Sequence, residues 1–454
     1  MAATSFRHRV LLNWINDIST IARRGKRWPI IDLDEQTLHD YRELFSVIKR
    51  WGFDTVAIWG LFISHSWNPD IKHSISEKRK HDIRELIDTA HAQGIRVLGG
   101  LGLYSWGFEE IIRTYPEVAK EEGRFWWGNF VSDNGVAMCY STELAKVWQR
   151  NVIDFMGNFG LDGFEMQSAD QGRCACHECR KMGEMEYHAA VNAEFGAYIR
   201  AKWPAMTIAV SGWGMSFRDE TDIPYLRKMS APLDYMIDVT DQSITGSRPI
   251  RKQLIQSLES SFGSLGGTIL VPPQRWDRLR WFLPHAELSR NHIASLAADG
   301  GNAFEFFAGP LVNPQYEMMT KFVGTILTQP TMSTHEGLAL VVEDMFAPRN
   351  AGVREDLVQL FLQAETDYFS RIEPVSGEFD FEPLIGEEAG PAIYLDRLPG
   401  DTLRQYRQDL RKWREAFAQT IKEINKIETG IKVVQCIGAI LEDIDERMTF
   451  HSIL

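Results

Sequence analysis

Cysteine is scarce in this chain, five residues in 454. That is too few for a disulfide framework and points to a reducing compartment. No apolar run approaches the roughly 18 residues that a membrane-spanning helix needs. The opening Met-Ala-Ala-Thr-Ser-Phe-Arg-His-Arg lacks the apolar core of a secretory signal, so the expected location is the cytoplasm, with no membrane partner. Basic charge is short as well: 49 Lys and Arg against 62 Asp and Glu leave a net −13. A chain so acidic is not expected to bind nucleic acid, and its acidity favours solubility. No Gly-x-Gly-x-x-Gly follows the first strand segment, and close packing explains Gly99, Gly100 and Gly102 better than phosphate binding. There is no fixed-period repeat and no low-complexity stretch. With 44% hydrophobic and 24% charged residues, a disordered chain is excluded too.

What is abundant is aromatic side chains, 14 Trp and 25 Phe, and a regular alternation of short apolar runs with amphipathic stretches. Strand segments are expected at 10–15, 55–62, 95–103, Gly163–Ala169, Thr207–Gly212, Tyr235–Thr240, Thr268–Val271 and Asn302–Phe307. Helical patterns at 34–51, 76–93, 142–159, 182–202 and 285–298 lie between them, several stopped by a glycine such as Gly52, Gly94 or Gly160. Eight strands interleaved with helices are the count for a (β/α)8 TIM barrel of the α/β class. An open doubly wound sheet is the alternative. The barrel is expected over residues 1–330, and a mainly helical C-terminal region over 331–454 with helices at 353–371, 402–428 and 431–447. Within the second, Leu403, Tyr406, Leu410, Trp413, Phe417, Thr420, Ile424 and Ile427 recur at alternating spacings of 3 and 4. This heptad seam fits packing on a neighbouring helix or the contact of a homodimer.

In a barrel the chemistry sits at the C-terminal ends of the strands, and strand alternation decides which side chains point inward. Phe164 and Met166 fit the helix-facing side of strand four, which turns Glu165 and Gln167 inward and leaves Asp170 at the rim. Phe304 and Phe306 flank an inward Glu305; in strand six Asp238 shares a phase with Met236 and Thr240, and Asp241 follows at the rim. Carboxylates from strands four, six and eight are thus expected to converge at one mouth. Mutual repulsion and burial raise one pKa above another, and one protonated acid with one anionic partner is what glycoside hydrolysis requires. Salt bridging inside the barrel, to Arg96 or Arg275, is the structural alternative. Trp59, Trp67, Trp106, Trp126, Trp127, Trp213 and Trp276 fall on the same side and are candidate stacking platforms for sugar rings, with His65, Asn68 and Gln167 as hydrogen-bonding groups. Arg248, Arg251, Arg275, Arg278 and Arg280 are candidates for clamping an acidic group. Asp162, ahead of the strand, reads as a cap or turn residue.

The most specific motif is Gly163-Phe-Glu-Met-Gln-Ser-Ala-Asp-Gln-Gly-Arg-Cys-Ala-Cys-His-Glu-Cys179, preceded by Met138-Cys139-Tyr140-Ser141. Over residues 138–180 the chain resembles the barrel domain of proteins related to alpha-glucuronidases and to family 20 hexosaminidases. The resemblance implies a glycoside hydrolase of carbohydrate metabolism with Asp170 where the acid of the hexosaminidase pair stands. Ala169 replaces the Asp that would steer an acetamido group, which argues for a direct mechanism with a second carboxylate: Asp238, Asp241 or Glu305. Glu165 is the other candidate acid, by strand phase.

Cys174, Cys176 and Cys179, with Cys139 upstream, are candidate zinc ligands, and His177 is a possible substitute. Their spacing is tighter than the usual paired Cys-x-x-Cys knuckles, so free thiols or a local disulfide are the competing readings and no cofactor is required by the chemistry. Cys436 reads as core. The function expected from these residues is cleavage of an oligosaccharide, one that carries an acidic sugar if the arginines serve it. The alternatives are a metal-dependent sugar isomerase or epimerase built on Glu165, Asp238 and Glu305, and a carbohydrate-binding protein without catalysis.

Overall fold

The computed structural model describes residues 5–14, 33–62, 66–104, 107–121, 137–168, 172–212, 215, 220–238, 250–267, 284–309, 311–371 and 400–453. Eight parallel strands close into a barrel in chain order: β1 (His8–Trp14), β2 (Thr55–Trp59), β3 (Arg96–Gly102), β4 (Gly163–Gln167), β5 (Thr207–Ser211), β6 (Tyr235–Asp238), β7 (Ser261–Gly267) and β8 (Ala303–Phe307). β8 returns to β1 with Val10 beside Glu305 and Leu12 beside Phe307. The helices between them are α1 (Glu35–Arg50), α2 (Glu77–Ala92), α3 (Glu109–Thr114), α4 (Glu143–Gly157), α5 (Glu184–Lys202), α6 (Ile223–Ser230), α7 (Arg251–Ser257), α8 (Ala286–Asp299) and α9 (Pro314–Thr328). The (β/α)8 barrel is therefore the fold, and the open sheet is excluded.

Local signals set these elements. Asp34 caps α1 by accepting from the backbone N–H of Thr37 at 2.8 Å, and Ser76 caps α2 through Arg79 N–H at 3.1 Å. After α1 the chain turns at Gly52, whose φ of 103° is left-handed and where a Cβ would fall 2.8 Å from the carbonyl oxygen of Gly324 in α9.

The seventh strand differs from expectation. It is the Gly- and Ser-rich Ser261–Gly267, ahead of Thr268–Val271, and that expected segment lies outside the described residues. The reason is room: a Cβ on Gly263 would meet the Ala303 carbonyl at 2.4 Å, and one on Gly266 the Phe304 ring at 2.5 Å. A strand pressed this closely against β8 carries glycine where pattern reading looks for branched residues.

Two apolar clusters result. Val10, Leu12, Ala57, Trp59, Leu98, Ala209, Tyr235, Ile237, Leu265, Ala303 and Phe307 fill the barrel interior. A larger cluster lies between strands and helices and continues without a break into the C-terminal helices α10 (Thr334–Phe346), α11 (Ala351–Arg371), α12 (Gly400–Thr420) and α13 (Ile427–Ile453). Two features depart from the expected pattern there. α10 is an additional helix, and α12 ends at Thr420 with a short 3-10 turn before Ile424, so the heptad seam is not one continuous helix. Leu403, Tyr406, Leu410, Trp413 and Phe417 are buried inside this chain, with Phe417 on Phe361 of α11 at 5.1 Å and Trp413 Nε1 donating to Asp367 at 3.1 Å. The homodimer expected from the seam loses the Leu403–Phe417 part of its surface, while Ile427 at the end of the seam stays exposed. No helix among the described residues is long and apolar enough to cross a membrane.

Candidate active site

The barrel interior holds two glutamates. Glu165 sits mid-way along β4, in register with Gly100 and Ala209; Glu305 sits mid-way along β8, in register with Val10 and Leu265. Phe164 and Met166 turn to the helices, as do Phe304 and Phe306, which aims both carboxyls inward, and both are fully buried. Gly100 makes the neighbourhood possible: a Cβ there would stand 2.4 Å from Cδ2 of Trp59. The indole instead lies across the glycine and donates from Nε1 to Glu165 Oε1 at 3.0 Å. The other three carboxyl oxygens, Glu165 Oε2 and both of Glu305, have no hydrogen-bond donor among the described residues. Tyr235 aims its hydroxyl toward Glu305 without reaching hydrogen-bond geometry.

Burial is the main influence on this pair. It pushes Glu165 up to about 8 against the pull of Trp59. It pushes Glu305 well above the usual carboxylate range, and the neighbouring Glu165 charge adds to the rise. No cation offsets them from the nearby imidazole: His8, stacked on Tyr235 at 4.7 Å, is lowered to about 4 by burial first and by Arg7 second, and so is neutral. The two glutamates titrate as a unit, and the Trp59 hydrogen bond favours the anion of Glu165.

Other expected site residues are placed differently. Asp238 is buried at the end of β6 in register with Ser264, whose hydroxyl meets His292 of α8 at 2.8 Å. Asp238 thus shares the helix-facing phase of Met236, while Tyr235 and Ile237 point into the barrel. The expectation of an inward Asp238 is corrected. Large apolar residues do not mark the outside of this barrel, because its inside is apolar too. Trp67 is also no platform: it is buried edge-on against Phe155 of α4 at 6.2 Å. Trp59 is 2% exposed and committed to Glu165. Gln167 is buried at the end of β4, its carbonyl accepting from Leu103 N–H at 2.8 Å. Asn68 orders its own loop, accepting from Asp70 N–H at 2.7 Å. Arg251 is buried at the start of α7 and committed to Asp299 and Ser295 of α8, so it is withdrawn from the arginines available to a ligand. Asp162 accepts from Val97 N–H at 2.7 Å and faces His91 at 2.8 Å, a structural turn residue. Asp170, Asp241, His65, Trp106, Trp126, Trp127, Trp213, Arg248, Arg275, Trp276, Arg278 and Arg280 lie outside the described residues.

The segment on either side of Asp170 is firmly held. Before it, the Ser168 hydroxyl bonds the buried His188 Nδ1 of α5 at 2.7 Å. Glu184 lies 3.4 Å from His188 Nε2 and accepts from Arg173 N–H at 2.6 Å. Those two neighbours hold the Glu184 carboxyl down to about 2, His188 having the larger effect. Sequence reading missed His188; its only signal was a histidine within an apolar helix face. After Asp170, Cys174, Cys176 and Cys179 converge on Cys139, all four sulfurs within 4.8 Å of one another. Among the described residues this is the cluster able to hold a metal ion; Glu165, Asp238 and Glu305 do not form one. His177 is 87% exposed and stands apart from the sulfurs.

No family model and no curated protein sequence matches the chain. Among solved structures it is similar to an O-GlcNAc hydrolase variant from Thermobaculum terrenum, with 12% identity over 92% of this chain and 77% of the other at a TM-score of 0.49. It is also similar to a protein named CpGH84B, with 10% identity over 98% and 70% of the two chains at a TM-score of 0.49. An Anoxybacillus alpha-amylase gives 9% identity over 71% and 78% at a TM-score of 0.44.

Proposed function

We propose that this chain is a glycoside hydrolase that cleaves an oligosaccharide by a two-carboxylate mechanism, with Asp170 as general acid. The observation that carries the reading is the Glu165–Glu305 pair enclosed in the barrel. Two carboxyls buried with no cation on them among the described residues weaken the fold, and groups so perturbed concentrate at functional sites. Being closed to solvent, the pair supports a place beneath the substrate rather than against it. The chemistry then belongs to carboxylates at the C-terminal rim, where barrel enzymes carry it. Asp170 follows the last residue of β4 by three positions, and Asp241 follows the last residue of β6 by three.

In this reading Asp170 protonates the glycosidic oxygen while Asp241 supplies the anion, as nucleophile or as base toward water. Asp238, facing the helices, and Glu305, closed beneath the mouth, leave Asp241 as the opposing group. Glu165 and Glu305 keep their protons at neutral pH, so the barrel floor is uncharged and apolar, and a carboxyl seated above such a floor is favoured in its protonated form. Trp106, Trp213 and Trp276, with His65, are the remaining platforms and hydrogen-bonding groups for sugar rings. Arg275, with Arg248, Arg278 and Arg280, fits a uronate or another acidic sugar. The likeness over residues 138–180 to alpha-glucuronidase-related and hexosaminidase barrels supports the assignment of Asp170, and Ala169 argues against an acetamido-assisted route.

The test is Asp170→Asn assayed on nitrophenyl glycosides, uronides included, and on unactivated oligosaccharides. General acid catalysis is worth about 10²–10⁴ in rate, so turnover of unactivated substrate should fall by that order while binding persists. The loss should be smaller on nitrophenyl substrates, whose leaving group needs little protonation. Equal losses on both would remove Asp170 from the acid role. Sugar binding with no turnover by the unaltered protein would make it a carbohydrate-binding protein.

A further inference from the structure

We propose that Cys139, Cys174, Cys176 and Cys179 form a closed four-thiolate site for one zinc ion, which fastens the loop after β4 to the crossover ahead of α4. The distances set the case. Zinc–thiolate bonds are about 2.3 Å, so the edge of a tetrahedral four-sulfur shell is about 3.8 Å. Cys139 Sγ lies 3.6 Å from Cys176 Sγ and 3.8 Å from Cys179 Sγ, and no pair of the four exceeds 4.8 Å. An iron–sulfur cluster, with the four thiolates divided over two or four irons around bridging sulfides, would spread the sulfurs wider. A disulfide would employ two of the four and leave the convergence of the others without a cause.

The surroundings suit anionic sulfur. Backbone N–H groups point at two of the four: Glu121 at Cys174 Sγ, 3.3 Å, and Cys179 at Cys176 Sγ, 3.4 Å. The Ser141 hydroxyl is 3.1 Å from Cys139 Sγ. Buried Lys120 donates to the Gly172 carbonyl at 3.0 Å, fixing the chain two residues ahead of Cys174. Soft sulfur donors select zinc over magnesium or calcium, and four protein ligands leave no position open for substrate. The site is therefore structural.

Three stretches of chain meet at it. Cys139 N–H donates to the Val118 carbonyl at 2.8 Å, Lys120 N–H to Ala137 at 2.9 Å, and Ala175 N–H to Glu121 at 3.2 Å. An ion at the centre ties 118–121, 137–141 and 172–179 into one knot, four residues downstream of Asp170. This inference does not depend on the reaction, because the knot would hold whatever function Asp170 has.

The experiment uses the full chain, purified under reducing conditions from zinc-supplemented growth. About one equivalent of zinc should survive dialysis and be released by an organomercurial that titrates the thiols. Exchange into cobalt(II) should give thiolate charge-transfer bands and the intense visible bands of a tetrahedral site. On metal removal, amide exchange should rise at Glu121, Ala175 and Cys179 while the amides of β1 and β8 stay protected. Cys176→Ser should weaken retention of the metal; should that variant misfold, the measurements on the unaltered chain still decide. Absence of metal with all four thiols reacting freely in the folded protein would overturn the site. A Cys139–Cys176 disulfide in the reduced preparation would overturn it as well. Iron held in place of zinc would overturn the identity of the ion.

Discussion

The indole of Trp59 occupies the space that a side chain at position 100 would need, and that occupancy brings its N–H to Glu165. Gly100→Ala puts a methyl group 2.4 Å from the ring and 2.9 Å from the Trp59 Cα, so the ring cannot swing clear alone. We expect a loss of about 1–3 kcal/mol in denaturant unfolding, the usual range for an overpacked core; an unchanged midpoint would mean the indole is not held over the glycine. At this scale the sequence shows part of the site. The inward aim of Glu165 and Glu305 follows from the phenylalanines and methionine around them. Their seclusion does not, because it comes from Trp59 and Tyr235, side chains delivered by other strands far away in sequence. The aim of Asp238 is not legible in the sequence, because β6 alternates two apolar sets, Tyr235 and Ile237 against Met236, and hydrophobicity alone does not say which is inside.

Between elements, the alternation of strands and helices was legible because each βα unit repeats one pattern. β7 was not, because its glycines answer to the bulk of β8 rather than to any local preference. The seam of α12 was legible as a seam but silent about its partner. Its aromatic residues close on α11 and α13 of the same chain, where Phe417 meets Phe361. Phe417→Ala should cost about 3–5 kcal/mol, the range for removing a buried aromatic ring, read as a lowered melting temperature of the C-terminal helices by circular dichroism. A change within error would show that α12 is not docked there. Glu365 of α11 makes a second join: its carboxylate accepts from Glu287 N–H at 3.0 Å and Leu288 N–H at 2.9 Å, capping α8 from outside its own chain segment. Burial nevertheless raises Glu365 to about 7, the backbone donors only partly offsetting it.

For the whole molecule these shifts combine into a pH profile. His8, His285 and His292 are each lowered by burial from the ordinary 6.5 to about 4. The native state refuses their protons, so stability is lost as pH falls from 6.5 through 4. Glu165, Glu305 and Glu365 are raised from 4.5, with Glu165 reaching about 8 and Glu365 about 7. Their native forms keep protons that the unfolded chain gives up, so stability is lost as pH rises above 4.5. Three groups of each kind oppose one another between 4.5 and 6.5, where stability should be nearly flat. Denaturant midpoints should be highest near pH 5.5 and lower at both 3.5 and 8.5. A maximum at pH 8 or above would show that the enclosed glutamates ionise without penalty.

Closure of the barrel has one further consequence. With β8 hydrogen-bonded to β1, each of the eight strands has a neighbour on both sides. An open sheet ends in a row of unpaired amides and carbonyls, onto which a foreign strand can add. This sheet has no such row, so association by strand addition is denied to it.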